Sequence, residues 1–318
     1  MATDRRLTAF AVAALIGIGC EQADKPLAMP PSSPTAIKPA LKPKVDQPVE
    51  PPKQTPSLTV SSPETKPRQS LDEMILFQPV KIDPERSPTT PLPFEDVAFT
   101  AEDGTKLCGW WLPHSQPKVV VLYLHGNGGN LWYLTDLLRW LNETAGCAVF
   151  AVDYRGYGLS EGTPTVDGVL QDVRAARIET ATRAGIASTD VVLMGRSLGG
   201  ALAIQSAKET PPRGLIVEST FTTFQEVGKI HMGALAKLVP DDRLDSLSAL
   251  TGCSAPLLHS HGDADRVIPF EQGERLHQVA TGPKQFIRIP GGDHNDRPRR
   301  EYLVELQRFL SNLPAVQR

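Results

Sequence analysis

Proline falls unevenly along this chain, and its distribution limits where a fold can form. Of 29 prolines in 318 residues, 17 lie between positions 21 and 93. Each proline fixes φ and removes a backbone N–H donor, so neither helix nor sheet propagates through such spacing. The same segment carries nine Lys/Arg against nine Asp/Glu, which fits a near-neutral, semi-rigid spacer. The chain therefore reads as three parts: an apolar start over 1–19, a Pro-rich, disordered tether over 20–93, and one domain over 94–318. A domain of 225 residues buries a substantial core without disulfides. Within the tether only Leu71–Phe77 (LDEMILF) is apolar enough to dock onto that domain. A net charge of −3, with no clustered Lys/Arg, excludes the usual electrostatic footprint of a nucleic-acid binder.

Arg5 and Arg6 precede an uncharged apolar run of 11 residues, Ala9–Gly19. Such a run is too short to cross a bilayer as a helix, which takes about 20 apolar residues. A basic head followed by a run of this length is the pattern of a secretory signal. The run ends at Cys20, after Gly17-Ile18-Gly19. Here the sequence resembles the cleavage site of bacterial lipoproteins, where a small residue precedes a cysteine that is lipidated and becomes the mature N-terminus. It departs from that pattern at Gly17, where leucine is usual. The resemblance implies an exported domain at the cell envelope, held to a bacterial membrane by lipid at Cys20, with the tether as a spacer.

Beyond residue 93 the apolar pattern alternates between two periods. Phe94–Thr100 and Thr105–Leu112 flank Asp103-Gly104 and read as an antiparallel hairpin. Lys118–Leu124 (KVVVLYL) is a continuous apolar run, as expected of a strand buried on both faces. Further strands are expected at Cys147–Val152, Val191–Met194, Gly214–Val217, Pro256–His259 and Lys284–Ile289. Helices are expected at Leu131–Leu141, Thr165–Ala184, Ala201–Glu209, Phe270–Ala280 and Arg299–Leu310. This alternation predicts an α/β fold with a mostly parallel eight-stranded sheet flanked by helices. The stretch from Thr220 to Ala255 is the one insertion long enough to form a small cap, with an amphipathic helix expected over Ile230–Val239.

In open α/β sheets, chemistry gathers in loops beyond the carboxyl ends of strands. After the strand ending at Met194 stands Gly195-Arg196-Ser197-Leu198-Gly199-Gly200. Gly-x-Ser-x-Gly between a strand and a helix is a nucleophile elbow, a tight turn that lifts the serine Oγ clear of the sheet. After the strand ending at His259 stands His261-Gly262-Asp263-Ala264-Asp265, and after the strand ending at Ile289 stands Gly291-Gly292-Asp293-His294. Serine, acid and histidine thus occur in the chain order associated with this elbow. Asp263 and Glu218 are alternative acids at this stage.

These stretches resemble the α/β-hydrolase superfamily across residues 94–318. The single-domain serine hydrolases of its Bem-like and serine-aminopeptidase-like branches are the nearest in pattern. The resemblance rests on LHGNGGN at 124–130, DYRGYGLSEG at 153–162, GRSLGG at 195–200, ESTF at 218–221, HGDADRVIP at 261–269 and GGDHND at 291–296. It implies Ser197 as nucleophile, His294 as general base and then acid, and Asp265 as the residue that orients and charge-stabilises the imidazole. It also implies an oxyanion hole formed by the backbone N–H groups of Leu198 and Asn127. No cofactor is implied.

The same residues admit other readings. His125, His259, His261, Asp263, Asp265, Asp293 and His294 form no known metal-ligand spacing, and His125 and His261 are expected to brace their loops. Gly126–Gly129 lacks the Lys-Ser/Thr of a phosphate loop. Cys108, Cys147 and Cys253 are expected as small buried hydrophobes, not as a disulfide framework. The cap carries only scattered Lys229, Lys237 and Arg243, so the expected substrate is a small-molecule acyl ester or thioester. An amide hydrolase on the same scaffold and a catalytically inactive envelope-binding module remain as alternatives.

Overall fold

Eight strands pair into one sheet in the order β1-β2-β4-β3-β5-β6-β7-β8, in a computed structural model that describes residues 69–82 and 93–316. The expected signal at 1–19, Cys20 and most of the tether lie outside the described residues. The hairpin β1 (Glu95–Thr100) and β2 (Lys106–Leu112) is antiparallel, and β2 pairs antiparallel with β4 (Cys147–Asp153). From β4 onward the sheet is parallel, through β3 (Val119–Leu124), β5 (Val192–Arg196), β6 (Gly214–Glu218), β7 (Leu257–Gly262) and β8 (Lys284–Ile289). The α/β fold expected from the alternating pattern is the fold observed.

The continuous apolar runs have the cause their lack of alternation implied. All six residues of β3 are buried. Val120, Leu122 and Leu124 join the core on one face, and Val121 and Tyr123 the core on the other.

Eight α-helices accompany the described sheet: α1 (Leu71–Leu76), α2 (Thr135–Arg139), α3 (Val166–Ala184), α4 (Leu198–Glu209), α5 (Phe224–Met232), α6 (Ser246–Thr251), α7 (Phe270–Val279) and α8 (Arg300–Ser311). The expected helix over Leu131–Leu141 is instead a 3₁₀ turn at Leu131–Leu134, the short α2, and a π turn at Trp140–Thr144. In the π turn, the Asn142 side chain donates to the carbonyls of Pro113 and Cys147 at 3.0 and 2.9 Å. The cap also differs from expectation. Its main helix is α5, set by Thr223 capping the Glu226 N–H at 3.2 Å and ended by Gly233 at φ 54°. A helix over Ile230–Val239 would run through that left-handed glycine.

The tether boundary at residue 93 needs correction. Residues 69–82 belong to the fold. Leu76 and Phe77 enter the core, at 4% and 2% exposure, and burying two such side chains contributes about 1.5–3 kcal/mol each. Glu73 accepts the Val166 N–H at 2.9 Å, a free donor of the first turn of α3. Gln69 donates to the Pro164 carbonyl at 2.8 Å, and Arg243 pairs with Asp72 at 3.1 Å. Val80 accepts the Gly158 N–H at 2.9 Å, and the Lys81 ammonium donates to the Ser160 carbonyl at 2.6 Å.

Candidate active site

Ser197 sits between β5 and α4 with φ 54° and ψ −119°, a conformation that costs a non-glycine residue about 1–3 kcal/mol. Its neighbours hold it there. Its N–H donates to the Glu218 carbonyl at 2.9 Å, and the Thr220 hydroxyl donates to the Ser197 carbonyl at 2.8 Å. The flanking glycines are a steric requirement. A Cβ on Gly195 would lie 2.2 Å from the Gly199 carbonyl oxygen, and one on Gly199 would lie 2.0 Å from the Leu124 carbonyl oxygen. Leu198 opens α4, so its N–H is among the first-turn amides that have no partner inside the helix.

The loops after β7 and β8 bring the acid and the histidine to this turn. His294 Nε2 lies 3.1 Å from Ser197 Oγ, and His294 Nδ1 lies 2.8 Å from Asp265 Oδ2. With the carboxylate accepting from Nδ1–H, Nε2 is left to accept from the serine hydroxyl. The two loops are bound to each other. Gly262 and Gly292 cross so closely that a Cβ on Gly262 would lie 2.2 Å from the Gly292 carbonyl oxygen. Asp293 accepts the Arg266 and His294 backbone N–H groups at 3.0 and 2.8 Å.

Electrostatics keep the acid ionised and the histidine neutral. The Asp265 side chain is fully buried, and that burial alone would raise its pKa. Hydrogen bonds from His261 and His294, attraction to His294 and the Ile268 N–H at 2.8 Å outweigh it and hold the carboxyl well below the usual range. Burial lowers His294 below the ordinary 6.5, opposed by the hydrogen bond and charge of Asp265 and assisted by Arg196 and His261. His261 Nε2 lies 2.8 Å from the Ile268 carbonyl and 3.4 Å from Asp265, so it braces this loop. Burial pushes His125 down to about 4, and as a neutral ring it donates Nδ1–H to the Gly126 carbonyl at 2.7 Å.

The alternative acids stand elsewhere. Asp263 is on the surface, bound to Arg288 at 2.8 Å and to the Gly291 N–H at 2.5 Å. Glu218 is buried and accepts from the Tyr302 hydroxyl; its burial raises its pKa. Cys147 and Cys253 are buried, Cys108 is half-buried, and all three are free thiols. Among the described residues, no group of three or more His, Cys, Asp or Glu is placed to hold a metal.

Two cavities flank the serine and histidine. An apolar one contains Ser197, Leu198 and Asn127, with Leu76, Phe224 and Ile268 among its walls. A second lies against His294 and includes Arg196, Ser260 and Tyr302. Asn127 contributes more than its main chain. Its Oδ1 accepts from the Gln78 N–H at 2.8 Å and the Tyr157 hydroxyl at 2.7 Å, and its Nδ2 donates to the Leu76 carbonyl at 2.5 Å. Nothing in the local sequence around position 127 signals that partnership; the one trace of it is the apolar Leu71–Phe77 stretch.

A sheet of this order, with an elbow serine after β5 and loops after β7 and β8 meeting it, defines an α/β hydrolase. Residues 115–251 match the family described as "Serine aminopeptidase, S33". The chain is 36% identical over 225 residues to the uncharacterized protein YfhR of Salmonella typhi, covering 65% of this chain and 76% of that protein. It is 29% identical over 195 residues to human alpha/beta hydrolase domain-containing protein 17B, covering 61% and 67% of the two chains. The solved esterase Pf2001 of Pyrococcus furiosus superposes with a TM-score of 0.63 at 20% identity, over 75% of this chain and 98% of that one. This protein has the α/β-hydrolase fold and belongs to one family with YfhR.

The elbow can be tested by comparing two glycines. Gly199→Ala is expected to lower stability by more than about 3 kcal/mol, as a strained, overpacked turn does. Gly129→Ala meets nothing nearer than 3.9 Å and is expected to stay within about 1 kcal/mol. Thermal or urea unfolding of both variants measures the difference.

Proposed function

We propose that this protein is a serine hydrolase of carboxylic esters or thioesters that works through an acyl-enzyme. The observation that carries this reading is the line Ser197 Oγ, His294 and Asp265, at 3.1 and 2.8 Å, opening onto an apolar cavity. Ser197 Oγ attacks the acyl carbonyl and passes its proton to His294 Nε2, while the carbonyl oxygen takes the negative charge. The Leu198 and Asn127 N–H groups receive that oxygen; losing one such donor typically costs about 10²–10³ in rate. Collapse breaks the acyl–oxygen or acyl–sulfur bond, and His294 gives the proton to the departing alcohol or thiol. Water then repeats the sequence on the acyl-serine, with Asp265 stabilising each imidazolium. The apolar cavity, which contains Ser197, suits an acyl chain.

The family description favours one second reading, hydrolysis of an N-terminal peptide bond by the same residues. Turnover of aminoacyl amides exceeding that of esters would establish it. The resemblance at Cys20 supports anchoring of the domain at a bacterial envelope. An acylated N-terminal cysteine in the mass spectrum of the mature chain is the expected finding, and an unmodified start elsewhere contradicts it.

The roles separate in a paired substitution. With p-nitrophenyl esters, Asp265→Asn is expected to lower kcat by about 10³–10⁴, and Asp263→Asn by less than about threefold because its contacts are Arg288 and the Gly291 N–H, not His294. Activity requires neutral His294, so kcat/KM is expected to fall as pH drops through its lowered pKa, with the midpoint of the acid limb below 6.5. An equal loss in both variants overturns the assignment.

A further inference from the structure

Three of the five residues His125–Gly129, the loop that would supply the second oxyanion donor, are glycine. Asn127 is flanked by Gly126, Gly128 and Gly129, and Gly128 takes φ 72°. Glycines leave a backbone with wide conformational freedom, yet an oxyanion donor must be fixed before the charge develops. The Asn127 side chain is held from outside the loop, by the Tyr157 hydroxyl at 2.7 Å and by a second element. Asn127 places its amide between the Leu76 carbonyl and the Gln78 N–H, at 2.5 and 2.8 Å, so the main chain of the N-terminal segment grips it at two points.

The same segment reaches the reacting serine. Ile75 and Leu76 line the apolar cavity that contains Ser197, opposite Val227 and Met232 of α5. Phe77 is turned into the core at 2% exposure, and both ends of the segment are tied down, by Glu73 to Val166 and by Val80 to Gly158. A segment needed only to cover the core would have no reason to grip Asn127 or to present side chains beside Ser197.

We propose that residues 71–78 are a working part of the acyl site. Ile75 and Leu76 form the wall that sets how long an acyl chain the cavity takes, and the main chain at Leu76 and Gln78 makes Asn127 the positioning residue of the oxyanion loop. This rests on the acyl-enzyme reading above. It assigns substrate selection to a segment embedded in the proline-rich part of the chain, ahead of the strand–helix alternation that builds the hydrolase sheet.

The test uses the full chain and its Ile75→Trp and Asn127→Ala variants, with p-nitrophenyl acetate and octanoate as substrates and thermal melting as the check on folding. Ile75→Trp is expected to lower the octanoate-to-acetate ratio of kcat/KM at least tenfold. Asn127→Ala keeps its backbone N–H, and is expected to lower kcat at least tenfold on both esters with KM within threefold. A length ratio within twofold of wild type in Ile75→Trp overturns the wall. Unchanged kcat in Asn127→Ala overturns the clamp, and if that variant does not fold the Trp variant still decides the wall. Should the wild-type chain hydrolyse neither ester, labelling of Ser197 by short- and long-alkyl fluorophosphonates reads the same ratio. Ser197 labelling that distinguishes alkyl length in wild type but not in Ile75→Trp then supports the wall even though ester turnover has failed. A wild-type chain that is neither turned over nor labelled contradicts both proposals.

Discussion

At Ser197 the chain leaves a buried parallel strand, reverses through a left-handed φ of 54°, and enters a helix without an intervening residue. No ordinary side chain fits at positions 195 or 199, because the carbonyls of Gly199 and Leu124 occupy the space a Cβ would need. Those contacts force α4 close against the end of β3, which brings the Leu124–Gly129 loop to the serine. A Cβ on Gly126 would lie 3.5 Å from that of Ser197. The parallel register from β5 to β8 then delivers the loops that carry Asp265 and His294 to the same edge of the sheet. Geometry at this turn and the register of the sheet thus place three loops at one site.

Bringing these loops together buries charge, and the structure compensates for it locally. A carboxylate taken out of water is costly unless paired and hydrogen-bonded. Asp265 has the Val267 and Ile268 N–H groups on one oxygen and His294 on the other, with His261 beside it. That set stabilises the anion more than burial disfavours it, and the anion in turn fixes which nitrogen of His294 carries the proton. Glu218, one strand away, has no comparable set of backbone donors, and its pKa moves in the opposite direction. Two buried acids near one serine therefore shift in opposite directions, and the fuller set of hydrogen bonds and the facing His294 lie with Asp265.

Much of this was legible in the sequence because it depends on local signals. The two-faced burial of β3 is written as an unbroken apolar run, and the elbow as glycines at fixed spacing around Ser197. Asp265 is distinguished from Asp263 only by family pattern; in space the distinction is plain, since Asp263 turns out to Arg288. The cap helix expected over Ile230–Val239 follows an amphipathic pattern that runs past Gly233, whose φ of 54° ends α5. Proline density, an average over a window, places residues 69–82 in the tether, where only the apolar run Leu71–Phe77 signals docking. What docks them is non-local: Phe77 in the core, Glu73 at the start of α3, and Gln78 on Asn127. Near Trp140 the helix passes into a π turn, where Asn142 donates to the carbonyl of Pro113, 29 residues away, and to that of Cys147.

The central claim, that Ser197 carries the acyl group between two half-reactions, is tested most directly by rapid-quench mass spectrometry. Mixing the full chain with excess p-nitrophenyl ester and quenching in acid within the first turnover is expected to add one acyl mass, located on the peptide containing Ser197. The adduct should decay at the rate of steady-state turnover when substrate is exhausted. Turnover with no added mass on that peptide, or an acyl group found on another residue, would contradict the account.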